Sequence, residues 1–196
     1  MKNFLITAMG RTGTLFLATL MNRSKKWTVL HEAGRAPGRP DFGPRSLADI
    51  QQRFNRDYYG EVNGFLRFRA RDLKVEKMGV ILREPVDHWI SIANQKLPKT
   101  REKCIVQIDN LEKTLHELDF LAKRGARKIH FAPMVSDLAY LKEVFAYFEI
   151  PDVELTPSMQ TTKINATNIK KYYSLTDFEP FVQKEVLRLQ GIYEAI

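Results

Sequence analysis

Residues 3–8 form an apolar run of strand length that breaks at Met9-Gly-Arg-Thr-Gly13, and residues 13–22 then continue apolar nearly all round. Such a segment reads as a buried strand, a glycine turn and a buried helix. The same order returns over residues 77–91: an apolar strand, 77–83, ends in Arg83-Glu-Pro-Val-Asp-His-Trp-Ile-Ser91, with a helix expected over 85–95. A strand that feeds a turn and a helix N-terminus converges unpaired backbone N–H groups and the helix dipole on one point, which suits an anion. Two such units in one short chain constrain the fold to strands running parallel with helices between them.

The rest of the chain agrees. Residues 27–32 read as a further strand, and 127–132 are strand-like. Residues 33–45 gather Gly34, Pro37, Gly38, Pro40, Gly43 and Pro44 with Arg35, Arg39 and Arg45, a composition that forbids regular structure. A short helix is expected over 46–55, and Ile105, Ile108, Leu111, Leu115, Leu118 and Ala122 make one helical stripe within 105–123. Ser136 is expected to cap a helix facing Leu138, Leu141, Val144, Phe145 and Phe148 inward. Thr176 and Glu179 form a capping-box pattern ahead of a final helix. No repeat or break in composition divides the chain, so the expectation is one domain over residues 1–196. Its class is α/β, a three-layer sandwich with a central parallel sheet, in which ligands bind beyond the strands' carboxyl ends.

Composition narrows the function less than the motifs do. With 196 residues and 44% hydrophobic content the chain can bury a substantial core. No apolar run reaches membrane-spanning length, and Cys104 is the sole cysteine, so no intramolecular disulfide forms. The chain reads as soluble and cytoplasmic. A net charge of +8 favours anionic partners, yet no zinc-finger or RNP-type pattern singles out nucleic acid. The scattered histidines show no metal-ligand spacing: His116 reads as solvated, His130 as a satisfied strand residue, and His88 as a rim or phosphate-side group.

In the first motif, Gly10 and Gly13 let the backbone approach an oxyanion, while Thr12 and Thr14 offer hydroxyl and amide donors. The Gly-Lys-Ser/Thr ending of a nucleoside-triphosphate P-loop is missing. In the second, Arg83 stands at a strand's carboxyl end and Ser91 two turns into the next helix, with Pro85 suited to its first turn. One phosphate fits between them, and Trp89 reads as packing. Two separate grips suit a nucleotide charged at both ends.

Gly10-Arg-Thr-Gly-Thr14 resembles the 5′-phosphosulfate loop of sulfotransferases, and the arginine–serine spacing of Arg83 to Ser91 resembles their 3′-phosphate motif. Weaker likeness extends to Leu30–Gly34, Lys128–Ile150 and Lys163–Asn168. The resemblance implies a P-loop-like sulfotransferase that takes 3′-phosphoadenosine 5′-phosphosulfate (PAPS) as donor and leaves adenosine 3′,5′-bisphosphate. Gly10, Arg11, Thr12, Gly13, Thr14, Leu15, Arg83, Ser91 and Lys163 are then the donor-binding residues. Leu15 replaces a common second threonine. Arg11 would stand by the bridging oxygen, where charge grows as the sulfuryl group leaves.

Transfer to a hydroxyl-bearing acceptor also needs a base. His31 and Glu32 are the candidates at a strand end, and alternation along the strand is expected to let one of them reach the site. Periodicity does not choose; the resemblance favours Glu32. A sulfuryl group carries less charge than a phosphoryl group, so no metal is expected. The segment 33–45 would serve the acceptor side. The competing classes are a small nucleotide kinase or phosphotransferase and a non-catalytic domain that binds polyanions.

Overall fold

The computed structural model describes residues 2–32, 47–96, 100–161 and 173–196. In chain order the elements are β1 (Asn3–Ala8), α1 (Thr14–Met21), β2 (Thr28–His31), α2 (Leu47–Phe54), β3 (Tyr59–Val62), β4 (Lys77–Leu82), α3 (Pro85–Lys96), α4 (Arg101–Lys123), β5 (Arg127–His130), α5 (Phe131–Ser136), α6 (Leu138–Tyr147), α7 (Pro157–Thr161) and α8 (Pro180–Glu194). The five strands form one sheet in the order β2-β3-β1-β4-β5, and every pairing is parallel.

The alternating side chains of the strands sort two cores onto the two faces. Leu5, Tyr59, Val80 and Leu82 face Ile50, Phe54, Trp89 and the apolar sides of α4 and α8. Phe4, Ile6, Val62, Ile81 and Ile129 face α1 and α6 through Leu17, Met21, Leu141, Val144 and Phe148. This is the expected three-layer α/β sandwich with its parallel sheet in the middle.

β3 is the strand that periodicity misses. Tyr-Gly-Glu-Val carries too little apolar weight to read as a core strand, yet all four residues are buried. Gly60 is required there because a Cβ would stand 2.1 Å from the Phe4 ring, which packs across the strand. Glu61 is fully buried but satisfied: Tyr59 Oη (2.8 Å) and Asn63 Nδ2 (2.5 Å) donate to it, and Arg53 lies 3.4 Å away. Burial and this carboxylate push the Tyr59 phenol up.

Three local expectations are corrected. Ser136 does not cap α6; Asp137 does, accepting from the N–H groups of Ala139 and Tyr140, while Ser136 Oγ donates to the Ala132 carbonyl. The capping box near the C-terminus belongs to Ser174 and Asp177 around a single 3₁₀ turn, and Glu179 precedes α8 without a side-chain cap. Ile105 leaves the core stripe and is half exposed, because at helical spacing Cys104, not Ile105, falls in line with Ile108, Leu111 and Leu115. Among the described residues no helix is long and apolar enough to cross a membrane.

Candidate active site

β1 has β3 on one side and β4 on the other, and the turns that leave β1 and β4 emerge together at the carboxyl edge of the sheet. The chain turns back at this point: it leaves β1 for β2, returns to β3, then crosses β1 to β4. Such switch points open a crevice that helix N-termini face.

The turn after β1 is wound tightly. Arg11 (φ 63°) and Gly13 (φ 72°) both take left-handed backbone conformations. Arg11 bears a strain that L-residues rarely accept, which is typical of functional turns. At Gly13 a Cβ would stand 2.9 Å from Met134 Cε and 3.1 Å from the Phe131 ring, so conformation and space both demand glycine. Gly13 also begins α1 with no side-chain cap, which leaves the N-terminal N–H groups to other partners. Thr12 turns inward, its hydroxyl donating to the Met9 carbonyl at 2.7 Å. It braces the turn rather than offering a hydroxyl to an anion. Thr14 Oγ1 meets His31 Nε2 at 3.0 Å.

The second motif is tied directly to the first. Arg83 Nη1 donates to the Arg11 carbonyl at 2.5 Å, and its guanidinium lies 4.4 Å above the Phe131 ring. Arg11, Arg83, Asp87, Ile90, Ser91, Asn94 and Gln95 line a cavity of about 280 Å³. A second cavity, about 240 Å³, opens on the other side of Arg83 against Glu84, His130, Phe131, Pro133 and Tyr193. Burial lowers the Arg83 pKa, Asp87 opposes that, and Arg11 adds to it. Its charge persists, since guanidinium keeps its proton even when buried.

Polar demand is concentrated here. Of the seven buried side-chain nitrogens and oxygens without a hydrogen-bond partner among the described residues, three are Arg11 Nε, Arg83 Nε and His88 Nδ1. His88 is not on the rim: it is 3% exposed, and burial with Arg83, Arg67 and Arg11 nearby lowers its pKa to about 3. It is a buried neutral ring beside three guanidinium groups, a setting that sequence reading missed.

The two base candidates come together rather than apart. Glu32 has φ 48°, and its N–H donates to the Val62 carbonyl at 3.2 Å. That left-handed turn ends the strand's alternation, and Glu32 Oε1 comes 3.7 Å from His31 Nε2. Both side chains are mostly buried, 12% and 23% exposed. His31 bridges Thr14 in the first motif to Glu32, and the expectation that strand alternation sets the two side chains apart is corrected. Lys163 and the segment 33–45 lie outside the described residues. His116 is exposed and His130 partners Tyr193 Oη at 3.4 Å. Among the described residues no group of three or more His, Cys, Asp or Glu could hold a metal ion.

No protein-family model matches this chain, and no curated protein sequence matches it. A solved structure does: the crystal structure of a sulfotransferase from Alicyclobacillus acidocaldarius superposes with a TM-score of 0.55 at 15% identity, covering 99% of this chain and 96% of that one. At that identity the likeness speaks for the fold, and the fold of this chain is similar to that of a sulfotransferase.

Proposed function

We propose that the chain, as one domain over residues 1–196, is a PAPS-dependent sulfotransferase that moves a sulfuryl group to a hydroxyl-bearing acceptor. The observation that carries this reading is the Arg83–Arg11 hydrogen bond. It joins two anion-binding turns into one surface, with unpaired guanidinium N–H groups at both ends. Arg83 and Ser91 would hold the 3′-phosphate across the larger cavity. The N–H groups of Gly10 to Leu15 would cradle the 5′-phosphosulfate at the N-terminus of α1. Lys163 would add a further donor contact.

In the reaction Glu32 accepts the acceptor's hydroxyl proton as that oxygen forms its bond to sulfur. The bond from sulfur to the bridging oxygen breaks, and Arg11 offsets the charge that gathers there. His31, held by Thr14 and adjacent to Glu32, orients the base and is its alternative. The chemistry asks for no resident metal, and the lone buried Cys104 suits a cytoplasmic setting.

Thermal-shift titration tests the reading, because a ligand of the native state raises the melting temperature. Adenosine 3′,5′-bisphosphate should stabilise the protein far more than AMP or ATP. Selective stabilisation by ATP with magnesium would revive the kinase class. Stabilisation by all polyanions alike, abolished by modest salt, would leave a polyanion-binding domain.

A further inference from the structure

The loop after β3 carries a third guanidinium to the same place. Arg67 follows the 3₁₀ turn Gly64–Leu66 and is fixed from both sides: Nε donates to Thr114 Oγ1 on α4 at 2.9 Å, and Nη1 donates to the Gly64 carbonyl at 2.7 Å. The Phe68 ring lies 4.7 Å from its Cζ. Gly64 packs against the end of β1, since a Cβ there would be 3.2 Å from the Ala8 carbonyl oxygen. Arg67 therefore sits beside the entrance of the first anion-binding turn. Burial lowers its pKa.

Among the described residues no carboxylate lies within ion-pair distance of Arg11, Arg67 or Arg83. These three guanidinium groups all bear on buried His88, whose Nδ1 has no hydrogen-bond partner. A fold does not gather three cations around a buried neutral ring for stability alone, because like charges repel and their desolvation is costly. An oxyanion repays that cost. The donor of the proposed reaction bears several negative charges, and Arg11 with Arg83 offsets two.

We propose that Arg67 is a third cation of the donor site and contacts the sulfuryl end of the donor. The inference rests on the sulfotransferase reading above. The strand order supplies the assignment: β4 and β3 flank β1 on opposite sides. Arg83 reaches the first turn from the β4 side, where Ser91 also stands, and Arg67 reaches it from the β3 side, where Glu32 is bonded to Val62. The 3′-phosphate and the transferring group lie at opposite ends of the donor, so a cation on the Glu32 flank serves the reacting end.

The test compares two ligands that differ by the sulfuryl group, PAPS and adenosine 3′,5′-bisphosphate, by calorimetry on the full chain. Arg67→Met keeps the aliphatic stem and removes the charge. It should raise the Kd for PAPS about tenfold or more and that for the bisphosphate less than about threefold. Arg67→Lys should recover part of the difference, because it restores charge without the fork. Thr114→Val, which leaves Arg67 chemically intact and removes its anchor, should shift the same ratio by about two- to threefold. That variant keeps the question open to measurement if Arg67→Met fails to fold. Equal losses for both ligands, or no loss for either, would overturn the assignment while Arg83→Ala still weakens both. If the wild-type chain binds neither ligand, the donor reading itself falls and takes the inference with it.

Discussion

Arg67 and Arg71 leave the same stretch of chain and reach the same helix, yet they end in opposite settings. Arg71 meets the buried carboxylate of Glu117 through two of its nitrogens, and its Cζ lies 4.7 Å from the Phe120 ring. Arg67 meets the Thr114 hydroxyl, one turn before Glu117 on α4, and the Gly64 carbonyl, and no carboxylate. The contrast repeats across the molecule. Lys2 and Lys77 share Glu149, Arg53 approaches Glu61, and Arg188 pairs with Glu112. Around His88, by contrast, the half-buried Arg11, Arg67 and Arg83 gather with no ion pair among the described residues, although Asp87 shares the cavity and bears on Arg83. A paired cation holds elements together. An unpaired cation, fixed in place by neutral donors and acceptors, has its charge left over for a ligand.

The most severe challenge to that division falls on the reacting end. Glu32→Gln keeps the shape of the carboxylate and cannot take up a proton, so single-turnover sulfuryl transfer should fall by about 100- to 10,000-fold. His31→Gln should cost less. The opposite ranking would make His31 the base and Glu32 the group that orients it.

The next largest effect separates ligand-facing from structural arginines directly. Arg83→Ala should weaken adenosine 3′,5′-bisphosphate binding by about 2 kcal/mol, or roughly 30-fold, and leave the fold intact. Arg71→Ala should do the reverse, lowering the melting temperature while nucleotide affinity stays within about twofold. Calorimetry and thermal melts on the two variants decide it; equal behaviour would erase the distinction between paired and unpaired cations.

The smallest expected effect sharpens the picture of the cationic cluster. The folded pKa of His88, about 3, lies well below the ordinary value of 6.5. Between those values the unfolded chain binds a proton that the folded chain does not, so stability rises with pH across the window and is lost as pH falls. His88 should contribute a slope approaching about 1.4 kcal/mol per pH unit. Denaturant unfolding from pH 6.5 downward should show that slope in the wild type and lose it in His88→Phe. An unchanged profile would mean that His88 titrates normally and that the cluster around it is not buried as described.

How far these regions were legible depends on the distance in sequence between the groups that make them. β1, α1, β4 and α3 were readable because a strand, a turn and a helix N-terminus are local patterns, spelled by adjacent residues. Gly13 was readable for the same reason. β3 was not, because its burial rests on partners elsewhere: Phe4 fills the space above Gly60, and Arg53 helps to compensate Glu61. The sheet order followed that strand, and with it the flank from which each arginine approaches.

The amino-acid sequence alone therefore determined the α/β class, the parallel sheet, and two strand–turn–helix units that carry Arg11, Arg83 and Ser91. Tertiary structure decided which charges are spent on the protein itself. Arg67 and Arg71 look alike in a sequence, and only the packing of α4 sets Thr114 before one and Glu117 before the other. It also brought His31 and Glu32 together, since the positive φ of Glu32 overrides the alternation that a straight strand imposes. Charge is written residue by residue, but whether a charge is neutralised depends on contacts between residues dozens of positions apart, and folding alone supplies those.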